Sequence, residues 1–125
     1  MEFIVQTETG AYDLRAAVRR IGDDILVAIW GGEKPHIGAV AMAQPRPSLK
    51  DPSATSATTS VYSFLGHKED ALANATATTL ASRLKTRTVV TAGMHWDNLD
   101  PEGIRVVQAN SALLTDLILQ RLSSG

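Results

Sequence analysis

The sequence contains no cysteine, which excludes disulfide staples, thiolate zinc sites, iron–sulfur clusters and a cysteine nucleophile together. Aromatic side chains are scarce, with two each of Phe, Trp and Tyr, so a core has to be assembled from aliphatic ones. Neither sign of charge dominates, since 12 Lys and Arg stand against 13 Asp and Glu for a formal net charge of -1. The positive field of a protein that tracks nucleic-acid phosphates is therefore missing. No run approaches the ~20 apolar residues of a membrane-spanning helix, and no basic segment leading into an apolar one opens the chain. The expectation is a cytoplasmic protein that binds neither nucleic acid nor a membrane. At 125 residues, 44% of them hydrophobic, the chain has the size of one domain spanning 1–125.

What is present reads as strands first and helices second. Phe3, Val5 and Thr7 alternate with polar positions, Thr9-Gly10 can turn, and Leu14, Ala16 and Val18 alternate again, which is the pattern of a half-buried hairpin. Ile25 to Trp30 and Ile37 to Ala43 have no polar phase and predict strands covered on both faces. Between Pro45 and Ser60, ten of sixteen residues are Pro, Ser or Thr, so a long loop at 45–60 is expected. Val61 to Phe64 offers a short strand, Lys68 to Lys85 a helix, Thr88 to Met94 a further strand, and Asp100-Pro101-Glu102 opens a helix to about Leu122. Inward positions on that last helix are Ile104, Val107, Leu114 and Ile118.

This order predicts an α+β fold, a two-layer sandwich of a mixed, mainly antiparallel β-sheet with two helices on one face. Val61 to Phe64, the first helix and Thr88 to Met94 form a β-α-β unit, whose strands as sheet neighbours would be parallel and end at one edge. Two helices cover one face only, yet two strands ask for cover on both. A homo-oligomer that packs the second face is expected.

Candidate functional residues gather at element boundaries. His36 opens an apolar strand, His67 follows Gly66 at a helix start, and His95 ends the last strand in Gly93-Met94-His95-Trp96-Asp97-Asn98. Gly66, His67 and Lys68 together offer close backbone approach, free N–H groups and a cation, which suits a phosphate or carboxylate, although a strand-ending glycine beside a solvated histidine has the same look. His95 with Asp97 and Asn98 resembles a histidine oriented by a carboxylate, and His36, His67 and His95 with Asp97 could complete a metal site, though none has the i, i+4 spacing that makes such a claim sharp. Arg46, stiffened by Pro45 and Pro47, is a candidate anion contact, and Thr58 and Thr59 are candidate hydroxyl donors, each with a solvated-loop alternative. Trp96 can stack on a planar ligand or serve as a core aromatic. No Ser-His-Asp order, P-loop, Rossmann glycine fingerprint or paired-carboxylate signature is present.

The series Gly31-Gly32 to Val40, Pro45 to Leu49, Ser56 to Ser60, Gly66-His67-Lys68-Glu69-Asp70 and Thr91 to Asn98 resembles the small LpdD-type proteins associated with UbiD-like hydroxyarene decarboxylases. The resemblance covers roughly residues 24 to 122. It implies a non-catalytic chaperone that binds prenylated FMN, or FMN itself, takes it from a flavin prenyltransferase and helps deliver it to a UbiD-like decarboxylase. Under that reading Arg46, His67 and Lys68 hold phosphate, Gly93, His95 and Trp96 meet the ring, and His36 lines the same cleft. A small metal-dependent hydrolase or lyase, and a structural accessory subunit of a decarboxylase, are the alternatives.

Overall fold

The computed structural model describes residues 2–64 and 69–123. Six strands, β1 (Glu2–Gln6), β2 (Leu14–Ile21), β3 (Asp24–Gly32), β4 (Ala39–Pro47), β5 (Thr55–Ser63) and β6 (Thr88–His95), form one sheet, with α1 (Asp70–Leu84) and α2 (Pro101–Ser123). The sheet order is β1-β2-β3-β6-β4-β5, antiparallel at every pairing except β3 with β6. Both helices lie on one face, α1 over β4, β5 and β6 and α2 over β1 and β2. The α+β sandwich follows from the alternation: Val18, Val27, Val90 and Ala41 form one row across four strands and are buried beneath the helices.

The two apolar strands alternate in burial, and the helix-free face is open. Ile4, Leu26 and Met42 on that face are 62%, 37% and 58% exposed. Small side chains dominate the helix contact: Ala73, Ala77 and Ala81 of α1 are fully buried, which lets the helix lie close on the small-residue strands β4 and β6. Lys85 ends α1 in the left-handed conformation, and its N–H donates to the Ala81 carbonyl.

Two sequence expectations are corrected. The segment 45–60 is not a long loop, because β4 runs to Pro47 and β5 starts at Thr55, with Pro45 opposite Ala57, Arg46 opposite Ser56 and Pro47 opposite Thr55. β4 pairs with β6 only from Ala39 to Ala43, so beyond Ala43 it has one neighbour. Pro45 and Pro47 are two residues apart and turn their missing N–H groups to the side β6 does not reach. Thr and Ser, poor in core-forming surface, still favour the pleated backbone of an edge hairpin. Likewise, the strands flanking α1 are not neighbours: β4 lies between β5 and β6, antiparallel to both, so these two are parallel at one remove.

One edge of the sheet collects the loops. The C-terminal ends of β1, β3, β5 and β6 and the N-terminal ends of β2 and β4 lie there, as the register requires. The β1–β2 turn is organised by Asp13, whose carboxylate accepts from the backbone N–H groups of Thr9 and Gly10 and from the Thr7 and Thr9 hydroxyls. These bonds, the Thr9 N–H first, hold the Asp13 carboxyl below the ordinary carboxylate range. The stabilisation is present above the unfolded carboxylate value and is lost as pH falls through the lowered folded one. Thermal melts from pH 6 to pH 2 should therefore show a smaller acid-side loss for Asp13→Asn than for wild type; equal slopes would remove Asp13 from the account.

Asn110 ties this turn to α2, donating to the Tyr12 carbonyl at 2.7 Å and accepting from the Thr9 hydroxyl at 2.9 Å. It is buried and satisfied.

Candidate functional site

The β3–β4 connection determines what this edge can hold. Since β6 sits between β3 and β4, residues 33–38 must arch over its end. Gly32 starts the arch with a φ of +83°, and a methyl group on it would lie 2.1 Å from the His95 carbonyl oxygen. Glu33 then donates to that carbonyl at 2.7 Å. The arch settles against Gly93, where a Cβ would stand 1.7 Å from the His36 carbonyl oxygen. Gly38 closes the crossing by donating to Ala92 and accepting from Phe64.

That descent brings His36 to the start of α1. Its Nε2 is 2.9 Å from Glu69 Oε1 and its Nδ1 is 2.8 Å from the Lys34 carbonyl. The Met94 N–H also donates to Glu69 Oε1, at 3.3 Å. Glu69 is the N-cap residue of α1 without capping through its side chain, so the carboxylate is committed to the arch and to β6 instead. Its side chain is 10% exposed, and Oε2 is buried with no hydrogen-bond partner among the described residues.

Beside this pair opens a cavity of about 460 Å³, with His36, Glu69, His95, Gln108 and Ser111 as its polar lining and Leu72, Met94, Trp96, Leu99, Ile104 and Val107 as the larger apolar part. Ile104 and Val107, read from the sequence as core positions, line this space instead, and Ile104 is 44% exposed. The reason is length. The 23 residues of α2 span roughly 35 Å at ~1.5 Å per residue, longer than β1 or β2 beneath it, so its first turns overhang the sheet edge. Trp96 packs edge-on against Tyr12, with ring centroids 5.5 Å apart, and presents the rest of its surface to the cavity.

His95 faces outward at the rim, its Nε2 2.9 Å from Asp97 Oδ1, with Lys34 Nζ 3.8 Å from the same oxygen. The hydrogen bond from the His95 ring is the largest of the effects, the Lys34 charge among them, that hold the Asp97 carboxyl below the ordinary carboxylate range. Asn98 supplies a left-handed turn, with φ of +58°, and leads the chain into α2.

Of the residues singled out in the sequence, His36, His95 and Trp96 line this cavity, with Gly93, Asp97 and Asn98 shaping its surroundings. Arg46, Thr58 and Thr59 do not join them. Arg46 is seven residues along β4 from Ala39, roughly 24 Å at ~3.4 Å per residue, and its guanidinium donates to the Thr58 hydroxyl and the Pro47 carbonyl. Thr59 bonds Thr78 of α1. Gly66, His67 and Lys68 lie outside the described residues. Among the described residues no three His, Asp or Glu side chains converge as a metal site would require. Glu69 is the residue that sequence reasoning missed, because an acid at a helix start is normally explained by the helix dipole.

A family model described as the prenylated flavin chaperone LpdD-like domain matches residues 8–123. The chain belongs to this family. As an LpdD-like protein it also shares its fold with a chain in the crystal structure of a novel chaperone complex for yeast 20S proteasome assembly, at a TM-score of 0.55 and 18% identity, over 99% of this chain and 95% of that one. No curated protein matches the sequence. No helix of the described residues of this LpdD-like chain is long and apolar enough to cross a membrane.

Proposed function

We propose that this LpdD-like protein is a non-catalytic carrier that binds prenylated FMN, receives it from a flavin prenyltransferase and hands it to a UbiD-like decarboxylase. The family match across residues 8–123 carries the reading. The cavity supports it on physical grounds. Its volume of about 460 Å³ falls within the ~300–1,000 Å³ typical of small-molecule sites. Much of its wall is aliphatic and aromatic, as a planar ring system needs, and His36, Glu69, His95, Gln108 and Ser111 supply polar side chains around it. His67 and Lys68, which immediately precede Glu69 in the chain, are the proposed phosphate ligands, with Trp96 and His95 against the ring. A second copy of the chain is proposed to cover the open sheet face.

Native mass spectrometry tests the reading directly, on protein purified without oxygen from cells that also express a flavin prenyltransferase. A stoichiometric adduct with the mass of prenylated FMN is expected, and incubation with an apo-decarboxylase should move that mass to the enzyme. A metal-only mass or a bare chain would replace the carrier reading with the metal-enzyme or structural alternative.

A further inference from the structure

Of the polar side chains that line the cavity, all but one lack a donor and an acceptor to offer side by side. His36 spends both ring nitrogens, on the Lys34 carbonyl and on Glu69. Glu69 gives Oε1 to His36 and Met94, and its Oε2 is buried away from the open space. The Ser111 hydroxyl donates to the Val107 carbonyl at 2.8 Å, which leaves it an acceptor only. His95 commits Nε2 to Asp97, and its other nitrogen donates or accepts but cannot do both. Gln108 differs. It is exposed on α2, one turn beyond Ile104, and its carboxamide has no hydrogen-bond partner among the described residues. It also lines a second hollow of about 400 Å³ between α1 and α2, which shares Ala71, Leu72 and Ser111 with the first as well. The free carboxamide therefore stands where the two spaces meet. About two helical turns further along α2, the second hollow reaches the Asp116 carboxylate.

Resting on the flavin-binding reading, we propose that Gln108 is the specificity-determining residue of the cavity. Its carboxamide oxygen accepts from the imide N–H of the flavin's pyrimidine ring, and its NH₂ donates to the neighbouring ring carbonyl. A carboxamide presents an acceptor beside a donor and the pyrimidine edge presents the complement, a pairing that no other lining side chain can make. The rest of the ring lies among Leu72, Met94, Trp96 and Ile104, where its apolar area leaves water. The phosphate points away from the hollow between the helices, because Asp116 would set a second anion beside it. The imide is common to FMN and its prenylated form, so recognition at Gln108 reads the flavin ring and leaves the prenyl group to the apolar wall.

The test titrates the protein with FMN and with 3-methyl-FMN, which carries a methyl group in place of the imide hydrogen, and follows flavin fluorescence. Wild type should bind FMN ~10-fold more tightly, since methylation removes one bond and sets a methyl group against the amide oxygen. Gln108→Met keeps the length and helix preference of the side chain and breaks no bond among the described residues. Its thermal midpoint should match wild type, while FMN affinity falls ~10-fold and the preference for FMN vanishes. Gln108→Glu still accepts from the imide but cannot donate to the carbonyl, so FMN affinity should fall while the preference over 3-methyl-FMN persists. This second variant carries the test if the methionine variant is unstable. Equal affinity of wild type for both flavins, a preference that survives in Gln108→Met, or one lost in Gln108→Glu overturns the proposal while leaving the carrier reading intact. Binding of neither flavin overturns it too, and a prenylated-FMN adduct in the native spectrum would then show that the carrier reading stands without it.

Discussion

Replacing Gly93 with alanine is expected to cost roughly 3 kcal/mol, a large share of the ~5–15 kcal/mol that holds a domain together. The added methyl would sit 1.7 Å from the His36 carbonyl oxygen and 3.0 Å from the Ile37 nitrogen, both backbone atoms that no rotamer change can move away. Relief requires lifting the arch off β6, and lifting it withdraws the His36 ring from Glu69 and opens the Gly38–Ala92 bond. The substitution should therefore destabilise the fold and abolish flavin binding together. Gly22 provides the control: its φ is +61°, but a Cβ there meets nothing within 4 Å, so Gly22→Ala should cost only the ~1–2 kcal/mol of left-handed backbone. Urea denaturation of the three proteins separates the effects. A Gly93→Ala unfolding free energy within ~1 kcal/mol of wild type would mean that the arch does not rest on β6 as described.

That single contact also shows where sequence reading stopped. Alternation and run length located five strands and both helices, and of β5 only its last residues from Val61, because burial on one face leaves a period of two and burial of a helix leaves one near four. Strand order left no such trace. β4 could be placed between β5 and β6 only by knowing that the β3–β4 connection arches over β6, and the residue that permits the arch is a glycine indistinguishable from a turn glycine. The Pro, Ser and Thr content of 45–60 misled for a related reason: hydrophobicity reports burial, whereas an edge hairpin needs only backbone pairing on one side. At the site, His36, His95 and Trp96 were legible as unusual residues at strand ends. Glu69 was not, since its role depends on contacts with His36 and Met94, which are 33 and 25 positions away. Arg46 looked pre-positioned between two prolines and is so, but the prolines hold it in an edge strand far from the cavity.

Leu26→Asp combined with Met42→Asp is expected to convert the proposed dimer to single chains without unfolding them. Both side chains stand on the helix-free face, in a row that runs from the Glu2–Arg19 ion pair through Leu26, Val89 and Met42 to Ser60. The next row is Ile4, Ala17, Ala28, Thr91, Val40 and Tyr62, with no charge along it. Five inter-strand spacings of ~4.8 Å and central strands of ~27–30 Å give this face an area of roughly 650–720 Å², close to the ~800 Å² that each partner contributes to a stable interface. Ile4, Leu26, Met42 and Tyr62 make the middle of this face apolar and leave it exposed, the kind of surface that calls for a cover. A second copy is the occupant that matches it, because two such faces can stack as paired sheets ~10 Å apart and bury each other's central rows. Two aspartates at the centre would place four like charges in that interface, a desolvation cost that the remaining contacts cannot offset. Light scattering during gel filtration should then give twice the chain mass for wild type and one chain mass for the variant, with matching far-UV spectra. A single-chain mass for wild type would leave the face open in solution and assign it to a partner other than a copy of this chain. The cavity lies on the helix side of the sheet edge, lined by α1 and α2 residues, so separation of the copies should leave flavin affinity within about twofold. A larger loss would mean that the partner chain contributes to the site.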